Sequence, residues 1–115
     1  MRAIVSKLKR KLKATDTEER CGLILKDGTV FQTPNVHENP VLGFRIPGEV
    51  LLANEAKMIG TWHTHPGKTS VFSQEDYFGF LNWPDLTHYI VGTDGVRAYR
   101  TDDGVIIREV NLAAD

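Results

Sequence analysis

Two histidines and an aspartate that lie within fourteen residues are the strongest chemical signal in this chain. The sequence His-Thr-His-Pro occupies residues 63–66, and Ser-Gln-Glu-Asp occupies residues 73–76. The mostly apolar residues 58–62 predict that the histidines come at the end of a buried strand. Because side chains alternate along a strand, His63 and His65 are expected on one face, with Cα atoms roughly 7 Å apart.

Neutral imidazoles and a carboxylate are typical zinc ligands. Two histidines on one strand face can share an ion at about 2.0–2.1 Å, and Asp76 can supply a third ligand that leaves the fourth position open for water. Zinc bound in this way lowers the pKa of that water from about 16 toward about 7. The sequence therefore predicts one Zn²⁺ per chain, held by His63, His65 and Asp76, with hydrolysis as its chemistry.

A longer motif surrounds these ligands. Glu19 begins the sequence Glu-Arg-Cys-Gly, residues 66–72 separate the second histidine from Ser73, and Asp76 follows three residues later. In this order and spacing the five positions resemble the JAMM/MPN+ (Mov34/PAD-1-like) family of zinc metalloproteases. A lone His-x-His occurs by chance in many strands, whereas the complete motif is a specific signal. Residues 44–46 and 89–92 also resemble landmarks of the family.

The resemblance assigns roles to two residues besides the ligands. Glu19 would accept the proton of the water and pass it to the leaving amine, as a carboxylate within hydrogen-bond reach can. Ser73 would donate a hydrogen bond to the oxyanion of the tetrahedral intermediate. Ser73 also has a structural interpretation, because a serine followed three residues later by an acid is a common helix N-cap. Both roles can coexist.

The substrates implied by the resemblance differ within the family. A chain this short resembles the minimal prokaryotic or phage-type members. The implied activity is that of a metallopeptidase or deubiquitinase-like isopeptidase, which cleaves at the C-terminal tail of a ubiquitin-like or sulfur-carrier protein. A phage tail-assembly peptidase and a noncatalytic MPN scaffold are the alternatives. Either kind of protein substrate would bind as an added strand beside the zinc.

Nucleobase deaminases also combine zinc, a glutamate and an α/β fold. Their ligand set requires His-x-Glu and Pro-Cys-x-x-Cys. Cys21 is the only cysteine of the chain, which excludes that set and predicts a small buried residue instead. His37 and His88 match no position of the motif, so structural or surface roles are predicted for them.

The elements that must position these residues form one small domain over residues 1–115. Residues 1–14 place apolar side chains at helical spacing among six basic ones, which predicts a basic amphipathic helix. Next come a hairpin over residues 21–32, a short strand at 43–46, helices over 47–57 and 73–82, and strands over 86–91, 96–100 and 105–110. This order, together with the resemblance, predicts an α/β fold: a single MPN-type (cytidine-deaminase-like) domain with a central mixed β-sheet flanked by helices.

Charge and composition set further expectations. The formal net charge of −1 gives no bias toward nucleic acid. Six of the 14 basic residues lie in residues 1–15, so the rest of the chain carries eight basic and all 15 acidic residues, a contrast that would suit self-association or an anionic partner. One cysteine, no apolar run of roughly 18–20 residues and no secretory signal predict a cytoplasmic protein without a membrane span.

Overall fold

A six-stranded sheet forms the centre of the molecule. The computed structural model describes residues 2–111, and the side chains of residues 3–106. Residue 1 and residues 112–115 of the predicted domain lie outside the described residues. The strands are β1 (Cys21–Leu25), β2 (Val30–Thr33), β3 (Met58–Thr64), β4 (Thr87–Gly92), β5 (Gly95–Asp102) and β6 (Val105–Asn111). The helices are α1 (Arg2–Lys9), α2 (Gly48–Asn54) and α3 (Gln74–Asn82), and a short 3₁₀ helix (Glu55–Lys57) leads from α2 into β3.

The strand order is β2-β1-β3-β4-β5-β6. Neighbouring strands are antiparallel except for β3 and β4, which run parallel. A parallel pair cannot be closed by a tight turn, and here the long connection through α3 joins the two strands. The predicted α/β fold with a mixed sheet and flanking helices is therefore confirmed.

The hairpin of β1 and β2 forms as predicted. The Asp27 side chain accepts a hydrogen bond from the backbone N–H of Thr29 at 2.9 Å, and Gly28 has φ of +88°, which a residue without Cβ adopts freely. The first four residues of β1 are buried, so this strand is covered on both faces.

Helices cover both faces of the sheet because its central strands are apolar on both sides. On one face, Val5 and Leu8 of α1 pack against Ile24, Trp62 and other core residues. On the opposite face, Cys21 and Leu23 of β1 belong to a cluster that includes Val50 and Leu51 of α2. A second cluster on this face packs α3 against β4 and β5. The second face carries the predicted metal ligands.

The N-terminal helix is shorter than predicted. α1 ends at Lys9 instead of continuing to residue 14, because the Asp16 side chain accepts from the backbone N–H of Lys13 and pairs with Arg20 at 3.0 Å, which favours a turn. Leu12 still packs against the core cluster beneath α1. Among the described residues, no helix has the length and apolar character that crossing a membrane requires.

The predicted short strand at residues 43–46 is wrong. These residues belong to an irregular β2–α2 loop, residues 34–47. Their backbone groups find partners inside the loop instead of in a ladder: the N–H of Val36 donates to the Arg45 carbonyl, and the N–H of Arg45 donates to the Asn35 side chain. No strand of the sheet is therefore extended by this segment.

Candidate metal centre

Strand register brings Glu19 beside the histidines. β1 and β3 are antiparallel with Cys21 opposite His63, so the residues before Cys21 run alongside those after His63. Arg20 continues this pairing, since its N–H donates to Thr64 Oγ1 and its carbonyl accepts from the N–H of Thr64, both at 2.9 Å. Glu19 is thereby placed next to His65 although 46 positions separate them in sequence.

The two imidazoles converge as alternation along β3 predicts. His63 and His65 are both buried, and their Nε2 atoms lie 3.1 Å apart. A carboxylate oxygen of Glu19 and one ring nitrogen of each histidine all lie within 4.8 Å of one another. The three side chains thus form a buried group that could hold a metal ion.

Asp76 reaches the same point from α3. Its Oδ1 lies 2.9 Å from His63 Nε2, and its Oδ2 lies 3.0 Å from His65 Nε2. Asp76 and Phe80 are four residues apart and share one helix face. Phe80 is buried and stacks on Tyr99 of β5, so the packing of α3 on the sheet fixes where the carboxylate lies.

A hydrogen bond from Nδ1, the ring nitrogen that faces away from the centre, sets the orientation of the His65 ring. His65 Nδ1 lies 2.9 Å from the carbonyl oxygen of Thr69, which can only accept, so Nδ1 carries the proton. The Nε2 of a neutral His65 therefore presents a lone pair to the centre, the arrangement that a metal-binding histidine needs. The loop that carries Thr69 is itself held, because Ser70 N–H donates to Asp94 Oδ1 at 2.8 Å and Tyr99 donates to the Ser70 carbonyl at 3.0 Å.

Gly92→Ala should disturb this loop and weaken metal binding. A Cβ at Gly92 would overlap with backbone atoms of Thr69 and Ser70, which must then move. Because the Thr69 carbonyl orients His65, we expect zinc affinity to fall by about 10–100-fold. Competition with a chromophoric chelator measures the change. Gly79→Ala is the matched control, since its Cβ meets nothing and a helical Gly→Ala raises the free energy of unfolding by up to about 1 kcal/mol. Equal zinc affinities for the two variants would contradict this account.

Three side chains of the centre have perturbed pKa values. Burial acts to raise the pKa of Asp76, but His63 and His65 outweigh it and hold that pKa well below its usual range. Burial acts to lower the pKa of His65, and the Asp76 carboxylate outweighs it and raises that pKa. Burial raises the pKa of Glu19, with the two histidines opposing the change. Asp76 is thus the more acidic of the two carboxyl groups.

The donor set fits a divalent cation. Two ligands at 2.0–2.1 Å from one tetrahedral zinc lie about 3.3 Å apart, close to the separations of 2.9–3.1 Å among the imidazole and Asp76 atoms. Protons on the imidazole nitrogens would also fit these short nitrogen–oxygen and nitrogen–nitrogen distances, so a metal ion and protons compete for the same ring nitrogens. Glu19 Oε1 and His63 Nδ1 are buried without a hydrogen-bond partner among the described residues. An orphaned carboxylate oxygen at this position is what a ligand or water of the centre would satisfy.

Ser73 is the N-cap of α3, as its structural interpretation predicts. Its Oγ accepts from the backbone N–H of Asp76 at 3.1 Å, and Asp76 Oδ2 accepts from the N–H of Ser73 at 2.9 Å. This reciprocal capping box fixes Asp76 relative to the helix start. The side chain of Ser73 is exposed, so its hydroxyl proton remains able to meet a substrate.

The remaining candidates lie outside the centre. Cys21 is fully buried, and burial raises the pKa of its thiol, as expected for a structural residue. His88 is buried between Thr61 Oγ1 at 2.7 Å and the Trp83 carbonyl at 2.9 Å, and burial lowers its pKa to about 4. A neutral, doubly hydrogen-bonded His88 agrees with the structural role predicted for it.

Two contributors to the centre escaped the sequence analysis. The Phe44 ring stacks on His63 with centroids 4.2 Å apart and an interplanar angle of 20°. The Thr69 carbonyl orients His65. Residues 44–46 were noticed only as a landmark of the resembled family. A backbone carbonyl in a loop leaves no signal in residue types, so Thr69 could not have been found.

Comparison with known proteins identifies the class. The chain belongs to the family described as prokaryotic homologs of the JAB domain, whose model matches residues 1–102. The family predicted from the motif is thereby confirmed. JAB proteins include metalloproteases, and prokaryotic homologs of the domain are often inactive.

A solved structure has the same fold. The solution structure of protein DSY2949 from Desulfitobacterium hafniense aligns with a TM-score of 0.64 and 22% sequence identity, covering 96% of this chain and 85% of that one. At this identity the similarity concerns the fold alone. A comparison with curated proteins finds no match.

Proposed function

We propose that this JAB-domain protein is a zinc-dependent metallopeptidase or isopeptidase. One observation carries the proposal: the Nε2 atoms of His63 and His65 and the carboxylate of Asp76 converge on one point. The two Nε2 atoms lie 3.1 Å apart, each lies within 3.0 Å of an Asp76 oxygen, and Glu19 lies beside them. Two imidazoles and a carboxylate are the donor set of many zinc hydrolases, and a bound zinc would activate water and polarise a carbonyl. His63, His65 and Asp76 would hold one such ion per chain.

The other side chains of the centre have separate tasks in this proposal. Glu19 accepts the proton of the attacking water and delivers it to the leaving amine. This role requires a carboxylate oxygen beside the ligands that can take up a proton, and Glu19 Oε1 is buried there without a hydrogen-bond partner among the described residues. Ser73 lies at the exposed start of α3 and donates a hydrogen bond from its hydroxyl to the developing oxyanion. Its oxygen meanwhile still accepts from the Asp76 N–H as the helix cap. The stack of Phe44 on His63 excludes water from one side of the ligands.

A protein tail is the substrate class that the surroundings favour. An open cleft of about 400 Å³ is lined by residues 15–20 and 32–35, so Glu19 and the end of the outer strand β2 both border it. An extended peptide could lie there with backbone hydrogen bonds to the edge of the sheet. We infer the C-terminal tail of a ubiquitin-like or sulfur-carrier protein as substrate, with a phage tail protein as the second candidate. Both substrates, and the single buried cysteine, suit the cytoplasm.

The proposal is tested by metal analysis and cleavage assays on the full chain. We expect about one zinc per chain, and release of the tail from linear or isopeptide-linked fusions of a ubiquitin-like protein that stops when a chelator is added and resumes with Zn²⁺. Protein that binds zinc but cleaves neither fusion would favour the tail-assembly substrate. Protein that binds no zinc would overturn the enzyme and support a noncatalytic scaffold.

Substitution of Ser73 separates its two roles. Ser73→Ala removes the cap and should lower the free energy of unfolding by about 1 kcal/mol. Ser73→Asp keeps a capping oxygen but has no hydroxyl proton. If Ser73 serves the oxyanion, both variants lose about 10²–10³-fold in kcat, and only the alanine variant is destabilised. Urea unfolding and steady-state kinetics measure the two effects, and full kcat in Ser73→Asp would leave capping as the only role.

A further inference from the structure

One side chain organises the β2–α2 loop. Asn35 Nδ2 donates to the carbonyls of Glu19 at 2.8 Å and Gly43 at 3.0 Å. Asn35 Oδ1 accepts from the backbone N–H groups of His37 at 3.1 Å and Arg45 at 3.0 Å. A carboxamide has two donors and two acceptor lone pairs, so the hydrogen-bonding capacity of Asn35 is fully used on backbone groups. The Asn35 side chain is therefore a junction that holds the backbone at four positions, namely Glu19, His37, Gly43 and Arg45.

Glu19 depends on this junction. Its N–H donates to the carbonyl of Pro40 at 2.8 Å, and its carbonyl accepts from Asn35. Arg20, the next residue, is already held by Thr64 of β3. Both backbone groups of Glu19 are therefore held by the β2–α2 loop, whereas the sheet holds its neighbour.

The same junction controls the residue that packs on the ligands. Phe44 stacks on His63, and the residues on either side of Phe44 are the two, Gly43 and Arg45, that bond to Asn35. Gly43 is also enclosed, since a Cβ there would meet the side chains of His37 and Glu75 at 2.8 and 2.7 Å. Asn35 thus ties the Glu19 backbone and the Phe44 ring into one unit.

We propose that Asn35 is the positioning residue that sets the place of the Glu19 carboxylate relative to the imidazole of His63. The inference rests on the proposed function, in which Glu19 transfers the proton. Misplacing a reacting group by about 1 Å can cost about 10²-fold in rate. All four hydrogen bonds of Asn35 go to backbone groups, so Asn35 acts through the geometry of Glu19 and Phe44.

Two substitutions separate the bonds of Asn35. Asn35→Ala removes all four bonds. Asn35→Asp keeps acceptors for His37 and Arg45 but removes both donors, so it releases Glu19 while leaving much of the loop in place. Asn54→Ala is the matched control, because it removes one amide bond, to the carbonyl of Val50 at 2.8 Å, inside α2 and away from Glu19.

Amide hydrogen exchange on the metal-free protein provides a readout independent of activity. In Asn35→Ala, we expect the Glu19 and Arg45 amides to exchange at least about tenfold faster, and the Thr64 amide, which bonds to Arg20, to stay unchanged. In Asn35→Asp, the Arg45 amide should keep its protection because the carboxylate still accepts from it, whereas the Glu19 amide should exchange faster as the Glu19 backbone separates from the loop that carries Pro40. Asn54→Ala should affect none of these three positions.

Kinetics and zinc affinity complete the test. With linear and isopeptide-linked ubiquitin-like fusions, both Asn35 variants should lose about 10–100-fold in kcat, while KM and zinc affinity stay within about threefold of the unsubstituted protein. Unchanged Glu19 exchange in both Asn35 variants, or a kcat loss no larger than that of Asn54→Ala, would overturn the inference. If the unsubstituted protein binds zinc but cleaves neither fusion, the ubiquitin-like substrate loses its support, and the exchange result alone decides whether Asn35 positions Glu19.

Discussion

Glu19→Gln should keep its zinc and lose about 10²–10⁴-fold in kcat. The substitution preserves the shape of the side chain but removes its ability to accept a proton, and general acid–base catalysis contributes about this much to rate. Glu19 is buried beside His63 and His65, and one of its oxygens has no partner among the described residues. Zinc content by atomic spectroscopy and kcat on a ubiquitin-like fusion are the two measurements.

Stability gives Glu19→Gln a second signature. Because burial raises the pKa of Glu19, its ionised form is disfavoured in the folded protein, and folding loses stability from this group as pH rises above its unfolded pKa of about 4.3. The neutral amide removes that cost, so the metal-free variant should unfold at a higher urea concentration at pH 7. Glu18→Gln, at the exposed neighbour, is the control and should change neither kcat nor stability. Normal turnover in Glu19→Gln would eliminate Glu19 as the proton carrier.

Asp76→Asn should cost at least about 100-fold in zinc affinity. The Asp76 carboxylate places one oxygen on each imidazole, at 2.9 and 3.0 Å, and its low pKa means that it is ionised wherever zinc is bound. An amide offers a neutral oxygen, which is a weaker zinc ligand than a carboxylate oxygen. Loss of a residue that only orients a zinc ligand already lowers zinc affinity by about 10–100-fold, so loss of a ligand should lower it further. Chelator competition at constant pH gives the affinity.

A neighbouring acid provides the control for Asp76→Asn. Glu75→Gln removes the same charge from the first turn of α3, which is worth about 0.3–1 kcal/mol of helix stability, but the Glu75 carboxylate pairs with His37 and not with His63 or His65. It should bind zinc normally. If Asp76→Asn keeps its zinc and Glu19→Gln loses it, the third ligand is Glu19, the other acid within reach of both histidines. The two variants together therefore decide the ligand set.

Much of the fold could be predicted because local patterns and tertiary packing agree. The alternation of β3 placed both histidines on one face, Asp27 and Gly28 specified the hairpin turn, and the Ser73 cap marked the start of α3. The errors lie where side chains bond to backbone groups in place of regular structure. α1 stops at Lys9 because Asp16 and Arg20 stabilise a turn. Residues 43–46 form no strand because backbone groups of Gly43 and Arg45 bond to Asn35, Val36 and Asn39 inside the loop.

The sequence by itself determined the types and order of the reactive residues, and with them the family. The spacing from His63 to Asp76 and the placement of Glu19 before β1 are properties of the linear chain. Only the tertiary structure decided that β1 lies antiparallel to β3, so that Glu19 meets His65, and that α3 carries Asp76 onto both imidazoles. The contacts of Phe44 and Asn35 have the same origin, since they join segments distant in sequence. Thr69 lies four residues from His65, but it acts through a backbone carbonyl, which residue types do not encode.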